Sequence, residues 1–297
     1  MERNQERTQD MRFGYNTNGF AHHRFEDALH IVAEIGCQSV AITLDHHVLN
    51  PYEPDLPTRV AETRKLLEKL RLRCVIETGA RFLLDPRRKH QPTLISPQPA
   101  EREQRLDFLR RAVDIASELE ADAVSFWSGT PVDEAPFAVH MDRLIEGCLR
   151  LSEIADKKHI RLAFEPEPGM LIDTMARFQE LHERLGHSNF GLTLDIGHLH
   201  CQGEVPITDH LRRWKDWLWN VHIEDMRRGV HDHLMFGDGE IDFQPILQTL
   251  KEIDYSGGVH VELSRHSHDA VNTAKRALAF LVECEGIGRL DSPSVKR

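Results

Sequence analysis

Short apolar runs alternate with helix-like stretches along the whole chain, and this alternation limits the possible folds more than any other feature. Each run is rich in Val, Ile, Leu or Phe, as buried parallel strands are. The predicted strands cover residues 12–16, 38–44, 73–78, 122–127, 160–165, 190–195, 219–223 and 257–262. Apolar residues at helical intervals predict helices over 24–36, 58–70, 101–119, 137–157, 173–185, 206–217, 243–253 and 269–283.

Repeated strand–helix units favour a closed barrel over an open sheet. The predicted fold is α/β, a (β/α)8 TIM barrel, formed by one domain over residues 11–286. The polar ends, 1–10 and 287–297, are expected to be flexible. No glycine-rich G-x-G-x-x-G segment follows the first predicted strand, which argues against a dinucleotide-binding fold.

Four of the predicted strands in the second half end in residue types that bind metals. These residues, which we call the rim tetrad, are Glu165, Asp195, His222 and Glu262. In a barrel, the carboxyl ends of the strands share one rim, where such barrels carry their chemistry. Three carboxylates and one imidazole suit Mn²⁺, Mg²⁺ or Co²⁺ and can also hold Zn²⁺. The pattern therefore predicts one divalent metal at the rim, and an enzyme.

Each member of the rim tetrad has an ordinary explanation when it is taken alone. A glutamate at a strand end can be a solvated charge, and Asp195 can cap the helix that follows it. His222, between Val221 and Ile223, can be a hydrogen-bonded core residue. Four such residues at four successive strand ends favour a shared function instead.

Two predicted loops on the same rim are longer than a barrel requires, and both carry candidate functional residues. The loop over 80–98 contains Arg81 and a basic cluster that could bind phosphate or carboxylate, or be a solvated charge. The loop over 225–242 contains His231 and His233. Together with His198, these two could bind a second metal or the substrate.

Composition and charge restrict the partners. A net charge of −11 argues against a nucleic-acid surface. No apolar run reaches the ~18 residues that a membrane span needs, and residues 1–10 lack a secretory signal. The five cysteines form no C-x-x-C pair, which favours a reducing compartment. We expect a cytoplasmic protein that binds a small polyol or sugar. The sequence is compatible with a homo-oligomer.

The motif order resembles the xylose-isomerase-like TIM barrel superfamily, which includes sugar isomerases and epimerases, inosose dehydratases and, more distantly, endonuclease IV. The resemblance rests on Glu165, the segments Asp195-Ile-Gly-His198 and His222-Ile-Glu-Asp225, and the segment from His231 to Asp242, followed by Glu262. It implies that the rim tetrad binds the metal and that Glu165 and Glu262 exchange roles as base and acid. It further implies that His198 contacts substrate or a second ion.

The chain departs from the endonuclease IV branch, which has extra histidines at strands three and four. Here those strands end in Glu77-Thr78-Gly79 and Trp127-Ser128-Gly129. The leading prediction is therefore a metal-dependent isomerase or epimerase acting on a sugar, sugar phosphate or cyclitol. A keto-polyol dehydratase, a phosphodiesterase and a non-catalytic barrel remain as alternatives. The predicted substrate contacts are Asn16, Glu77, Arg81, Trp127 and Glu167.

Overall fold

The computed structural model describes residues 11–290, so the predicted flexible segment 1–10 and residues 291–297 of the predicted flexible segment 287–297 lie outside the described residues. The barrel is formed by β1 (Arg12–Asn16), β2 (Ser39–Thr43), β3 (Arg73–Glu77), β4 (Val124–Phe126), β5 (Leu162–Phe164), β6 (Phe190–Asp195), β7 (Leu218–Ile223) and β10 (Gly258–Val261). Between β7 and β10 the chain forms a hairpin of two further strands, β8 (Asp225–Arg227) and β9 (Val230–Leu234). The helices are α1 (Phe25–Ile35), α2 (Leu56–Leu70), α3 (Pro99–Glu118), α4 (Phe137–Lys158), α5 (Met175–Leu185), α6 (Ile196–Gln202), α7 (Ile207–Trp214), α8 (Phe243–Glu252) and α9 (Ala270–Leu290).

Eight parallel strands close into a barrel in the order β1-β10-β7-β6-β5-β4-β3-β2, which confirms the predicted (β/α)8 fold. Strand β2 shows why the sequence folds this way, because all five residues of Ser39–Thr43 are buried between the barrel interior and the outer helices. The last helix continues to Leu290, four residues past the predicted domain end at 286. Within residues 11–290, no helix is long and apolar enough to cross a bilayer.

The strand register brings the rim tetrad to one level. Asp195 lies opposite His222 across the β6–β7 pair, and Val261 lies opposite Ile223 across the β10–β7 pair. Glu165 and Glu262 each follow directly after the last residue of their strand. Because parallel strands run in the same direction around the barrel, these four side chains all emerge at its carboxyl rim.

Two elements of the fold differ from the predicted ones. A short helix, α6, begins immediately after β6, where no separate helix was expected, because the Asp195 side chain accepts a hydrogen bond from the His198 amide. The loop over 225–242 contains the β8–β9 hairpin, which turns at Gly229 with φ of 73°. The Asp225 carboxylate then fixes the rest of this loop by accepting hydrogen bonds from the amides of Gly237, Gly239 and Ile241.

Candidate metal centre and substrate cavity

The rim tetrad converges on one nitrogen of His222. Nδ1 of His222 lies 2.9 Å from Glu165 Oε1, 3.1 Å from Glu262 Oε2 and 3.9 Å from Asp195 Oδ2. One ligand atom from each of the four residues lies within 4.8 Å of all the others. The side chains are almost fully buried, apart from that of Glu262, which is 18% exposed. Three carboxylates held this close in a buried site repel one another unless a cation lies among them.

The electrostatics of the tetrad fit a divalent cation. Burial raises the pKa of Glu165 to about 7, because its effect exceeds the opposing effect of His222, and the charges of Glu262 and Asp195 add smaller increases. Burial opposes ionisation of His222, but Glu165, Glu77 and Glu262 raise its pKa well above the usual value. Asp195 Oδ2 is buried and has no hydrogen-bond partner among the described residues. A cation in this position would provide that partner and hold the carboxylates ionised.

A buried polar network supports the centre from inside the barrel. His222 Nε2 lies 2.9 Å from Glu77 Oε1, and the Asn220 side-chain amide donates to the same oxygen at 3.1 Å. Asn220 Oδ1 in turn lies 2.8 Å from His260 Nδ1, and His260 Nε2 lies 2.8 Å from Ser39 Oγ. Because Glu77 engages Nε2, the ring of His222 presents Nδ1 to the tetrad.

The three histidines named above as a second cluster do come together, and we call them the histidine trio. His198 Nε2 lies 3.0 Å from His231 Nε2, which lies 3.2 Å from His233 Nε2. His198 comes from the first turn of α6, and the other two come from β9. Burial lowers the pKa of His198 to about 4, so its ring is neutral, as a metal ligand must be.

A cavity of about 610 Å³ opens above the tetrad. This volume lies within the range of about 300–1,000 Å³ that is usual for small-molecule sites. The residues predicted to contact substrate all lie in its wall, and so does the histidine trio; the predicted contacts are Asn16, Glu77, Arg81, Trp127 and Glu167. The wall thus combines carboxylates, amides, imidazoles and one indole, which are the groups that bind polyols.

The individual placements of these residues differ. Asn16 is buried, and its Oδ1 accepts hydrogen bonds from the Asn18 amide and the Thr43 hydroxyl, so it shapes the wall. Arg81 pairs with Asp45 at 3.3 Å. Trp127 packs over the guanidinium of buried Arg105, with 4.5 Å between Arg105 Cζ and the ring centroid.

Glu167 is a half-buried carboxyl beside the tetrad. Burial raises its pKa well above the usual value, and the nearby charge of Glu165 raises it further. A neutral Glu167 can donate a proton or a hydrogen bond to a molecule in the cavity.

Among the residues of the site that the sequence did not indicate, Asn18 and Glu224 lie next to the tetrad. Asn18 donates a hydrogen bond from Nδ2 to Glu262 Oε1 at 2.7 Å, although the prediction for this strand end was Asn16. Glu224 is fully buried next to the tetrad, between β7 and β8. The one signal in the sequence for Glu224 is its position two residues after His222, since residues two positions apart along a strand lie on the same face.

Fold and site together define a (β/α)8 barrel with a candidate metal centre at the carboxyl ends of its strands. The family model described as the xylose isomerase-like TIM barrel matches residues 19–284, and the chain belongs to this family. The resemblance inferred from the rim motifs is thereby confirmed.

Relatives in this family include both epimerases and dehydratases. The chain is 27% identical over 194 residues to the L-ribulose-5-phosphate 3-epimerase UlaE of Shigella flexneri, an alignment covering 64% of the chain and 66% of that protein. It is 30% identical over 138 residues to the inosose dehydratase of Lacticaseibacillus casei, covering 41% of the chain and 46% of that protein. The chain thus spans between about half and two thirds of the length of these curated relatives.

One solved structure with this fold contains a metal. The IolI protein with a bound zinc atom superimposes with a TM-score of 0.72 at 16% identity, covering 93% of the chain and 98% of that protein. At this identity the likeness establishes the fold.

Proposed function

We propose that the protein is a divalent-metal-dependent isomerase or epimerase that acts on a sugar, sugar phosphate or cyclitol by removing a proton next to a carbonyl. The observation that carries the proposal is the convergence of Glu165 and Glu262 on His222 Nδ1, at 2.9 and 3.1 Å, at the base of a cavity. The epimerase and dehydratase relatives support the same class of chemistry.

Within this proposal, a divalent ion bound by the rim tetrad would stabilise negative charge on the substrate's carbonyl oxygen as a Lewis acid. The protein's own carboxylates move the proton. Glu262 Oε2 faces His222, whereas its Oε1 accepts the hydrogen bond from Asn18, so Asn18 fixes the direction of the second oxygen. Glu165 and Glu262 come from β5 and β10, which are separated by β6 and β7 around the barrel. One carboxylate can therefore take a proton from carbon while the other returns one from a different side.

The metal is proposed to be Mn²⁺, Mg²⁺, Co²⁺ or Zn²⁺, because three carboxylates and one imidazole suit hard and borderline ions. The histidine trio is a candidate for a second ion or for substrate contacts. Its three Nε2 atoms face one another at 3.0 and 3.2 Å, and three imidazoles are a common zinc-binding set.

The substrate is proposed to be a small polyol or sugar. Trp127 offers an aromatic surface in the wall, held by Arg105 on one side and by the edge of His90, whose ring centroid is 5.3 Å from that of Trp127. Arg81 and Lys89, from the loop over 80–98, are cationic groups in the wall that would bind phosphate or carboxylate. The present pairing of Arg81 with Asp45 is also compatible with a neutral sugar.

A keto-polyol dehydratase is the second candidate. It begins with the same proton removal, and a specific feature favours it: a neutral Glu167 could protonate a leaving hydroxyl. The inosose dehydratase relative is consistent with this alternative. A phosphodiesterase of the endonuclease IV type is less well supported. Where that branch has histidines at the ends of strands three and four, this chain has Glu77 at the end of β3 and Trp127 directly after β4.

The deciding experiment measures solvent deuterium in the product. Ketoses, ketose phosphates and inososes would be incubated with the Mn²⁺-loaded protein in D₂O and followed by NMR. We expect deuterium at the carbon next to the carbonyl, accompanied by an epimer for an epimerase or by loss of water for a dehydratase. The exposed rim variant Glu240→Gln is the control and should behave as wild type. Turnover without deuterium uptake, and without slowing when that C–H is replaced by C–D, would exclude enolisation.

A cytoplasmic location is part of the proposal. All five cysteines are free thiols, which supports a reducing compartment. A homo-oligomer stays a prediction.

A further inference from the structure

Glu224 is a buried carboxylate without a hydrogen-bond donor. It lies between β7 and β8, its exposed fraction is 0%, and neither carboxylate oxygen has a hydrogen-bond partner among the described residues. Removing a carboxylate from water in this way is strongly unfavourable unless a counter-charge or donor replaces the water. The surroundings of Glu224 should therefore show which group takes the place of water.

Two other unpartnered ligand atoms face the same space. Asp195 Oδ2 and His233 Nδ1 are both buried and lack hydrogen-bond partners within residues 11–290, and His233 Nδ1 lies 3.8 Å from Glu224 Oε1. One ligand atom from each of Asp195, Glu224 and His233 lies within 4.8 Å of the other two. Asp195 Oδ2, the two Glu224 oxygens and His233 Nδ1, which lack hydrogen-bond partners among the described residues, form a cradle for a positive charge.

The backbone leaves room for this arrangement. A Cβ atom at Gly197 would overlap Glu224 Oε1, so any larger residue in the first turn of α6 would displace the carboxylate. Glycine is otherwise less favourable than alanine inside a helix. Its presence here fits a need to admit the Glu224 side chain.

We propose that Asp195, Glu224 and His233 form a second divalent-cation site, which shares Asp195 with the rim tetrad. Asp195 Oδ1 is occupied by the His198 amide at 2.8 Å, so Oδ2 is the oxygen that would bridge the two ions. Carboxylates that bridge two ions commonly hold them about 3.5–4 Å apart. The site differs from the histidine trio, because it uses His233 Nδ1, whereas the trio uses His233 Nε2.

The site would join three separate elements. Asp195 ends β6, Glu224 follows β7, and His233 belongs to β9 of the hairpin. An ion bound there would fasten the hairpin, which carries part of the cavity wall, to the barrel. This inference does not depend on the reaction proposed above, since it concerns ion binding alone.

The test counts Mn²⁺ ions per chain in the full-length protein after equilibration with Mn²⁺ and gel filtration. We expect two ions in the wild type and one in Glu224→Gln, which keeps the side-chain shape but removes the charge. Glu240→Gln, with an exposed carboxylate on the same rim, should retain two. Gly197→Ala should also lose the second ion, since it displaces Glu224 without removing a ligand.

His231→Gln separates this site from the histidine trio. It should retain two ions, because His231 belongs to the trio alone. Manganese anomalous scattering should then place one peak beside Glu224 and another at the rim tetrad. Hydrogen exchange of the amides in Val230–Leu234 should be faster in Glu224→Gln than in the wild type.

Three results would overturn the proposal. Retention of both ions by Glu224→Gln would show that Glu224 is not a ligand, and loss of the second ion in His231→Gln would place that ion in the trio. Binding of a single ion by the wild type at saturating Mn²⁺ would mean that the negative charge of Glu224 is balanced by a proton shared with His233 and not by a metal. None of these results depends on turnover, so each can be told apart from failure of the proposed reaction.

Discussion

Replacement of Glu77 should weaken metal binding, although Glu77 is expected to lie outside the set of metal ligands. Its Oε1 lies 2.9 Å from His222 Nε2, on the side of the ring opposite the tetrad. Asn220 donates to the same oxygen at 3.1 Å, which holds the carboxylate in place. A carboxylate in this position fixes the ring orientation, keeps the proton on Nε2 and makes Nδ1 a better ligand.

The magnitude follows from which of these effects each variant removes. Glu77→Gln retains an oxygen that can accept from Nε2 but loses the charge, so we expect about a tenfold loss of metal affinity, or about 1.4 kcal/mol. Glu77→Leu removes the acceptor as well, and we expect about a 100-fold loss, or about 2.8 kcal/mol.

Competition with a chromophoric chelator measures these affinities on folded protein. ¹⁵N NMR of His222 reports the tautomer, which should remain Nε2–H in Glu77→Gln and become mixed in Glu77→Leu. Glu204→Gln is a matched control, because Glu204 is a half-buried carboxylate that accepts a hydrogen bond from the Met175 amide at 2.9 Å. Metal affinity in Glu77→Leu equal to that of the control would refute the reasoning.

Three further predictions concern the tetrad and the packing beneath the cavity. Asp195→Ala and Asp195→Asn should both lose the rim metal, measured by elemental analysis. In urea unfolding, metal-free Asp195→Ala should be about 1 kcal/mol less stable than metal-free Asp195→Asn, because only alanine removes the α6 cap. Glu262→Gln should retain measurable metal yet slow the deuterium exchange about 10²- to 10⁴-fold; unchanged exchange would remove Glu262 from the acid/base pair. Arg105→Ala should lower the free energy of unfolding in urea by about 3 kcal/mol, because it leaves the Thr78 carbonyl unpaired and removes the guanidinium that stacks on Trp127. Arg105→Met should lower this free energy by less.

The barrel could be predicted because its signal is local and repeated. Strand β2 was expected at 38–44 and is observed at Ser39–Thr43, and the last barrel strand was expected at 257–262 and is observed at Gly258–Val261. Buried parallel strands are continuous apolar runs, so each one can be recognised without knowing its neighbours. Once the strands alternate with helices, the shared rim follows from the direction of the chain.

The support of the site could not be predicted in the same way, because it depends on distant residues. Glu77 was interpreted as a substrate contact, since it ends a strand at the rim; its bond to His222 joins residues 145 positions apart in the sequence. Asn18 reaches Glu262 across 244 positions. The hairpin that carries His231 and His233 is polar and short, and its strands lack the apolar alternation that identifies a sheet.

At Asp195, the two predicted roles of helix cap and metal ligand do not exclude each other. The sequence supported both interpretations, and a carboxylate has two oxygens that can serve them separately. Oδ1 accepts a hydrogen bond from the His198 amide at 2.8 Å, whereas Oδ2 is buried, has no hydrogen-bond partner in the described part of the chain, and lies 3.9 Å from His222 Nδ1. The cap therefore fixes the rotation of the carboxylate and directs Oδ2 towards the centre. Because Oδ1 is occupied, a metal at Asp195 would be bound through Oδ2, and the start of α6 sets the position of that oxygen.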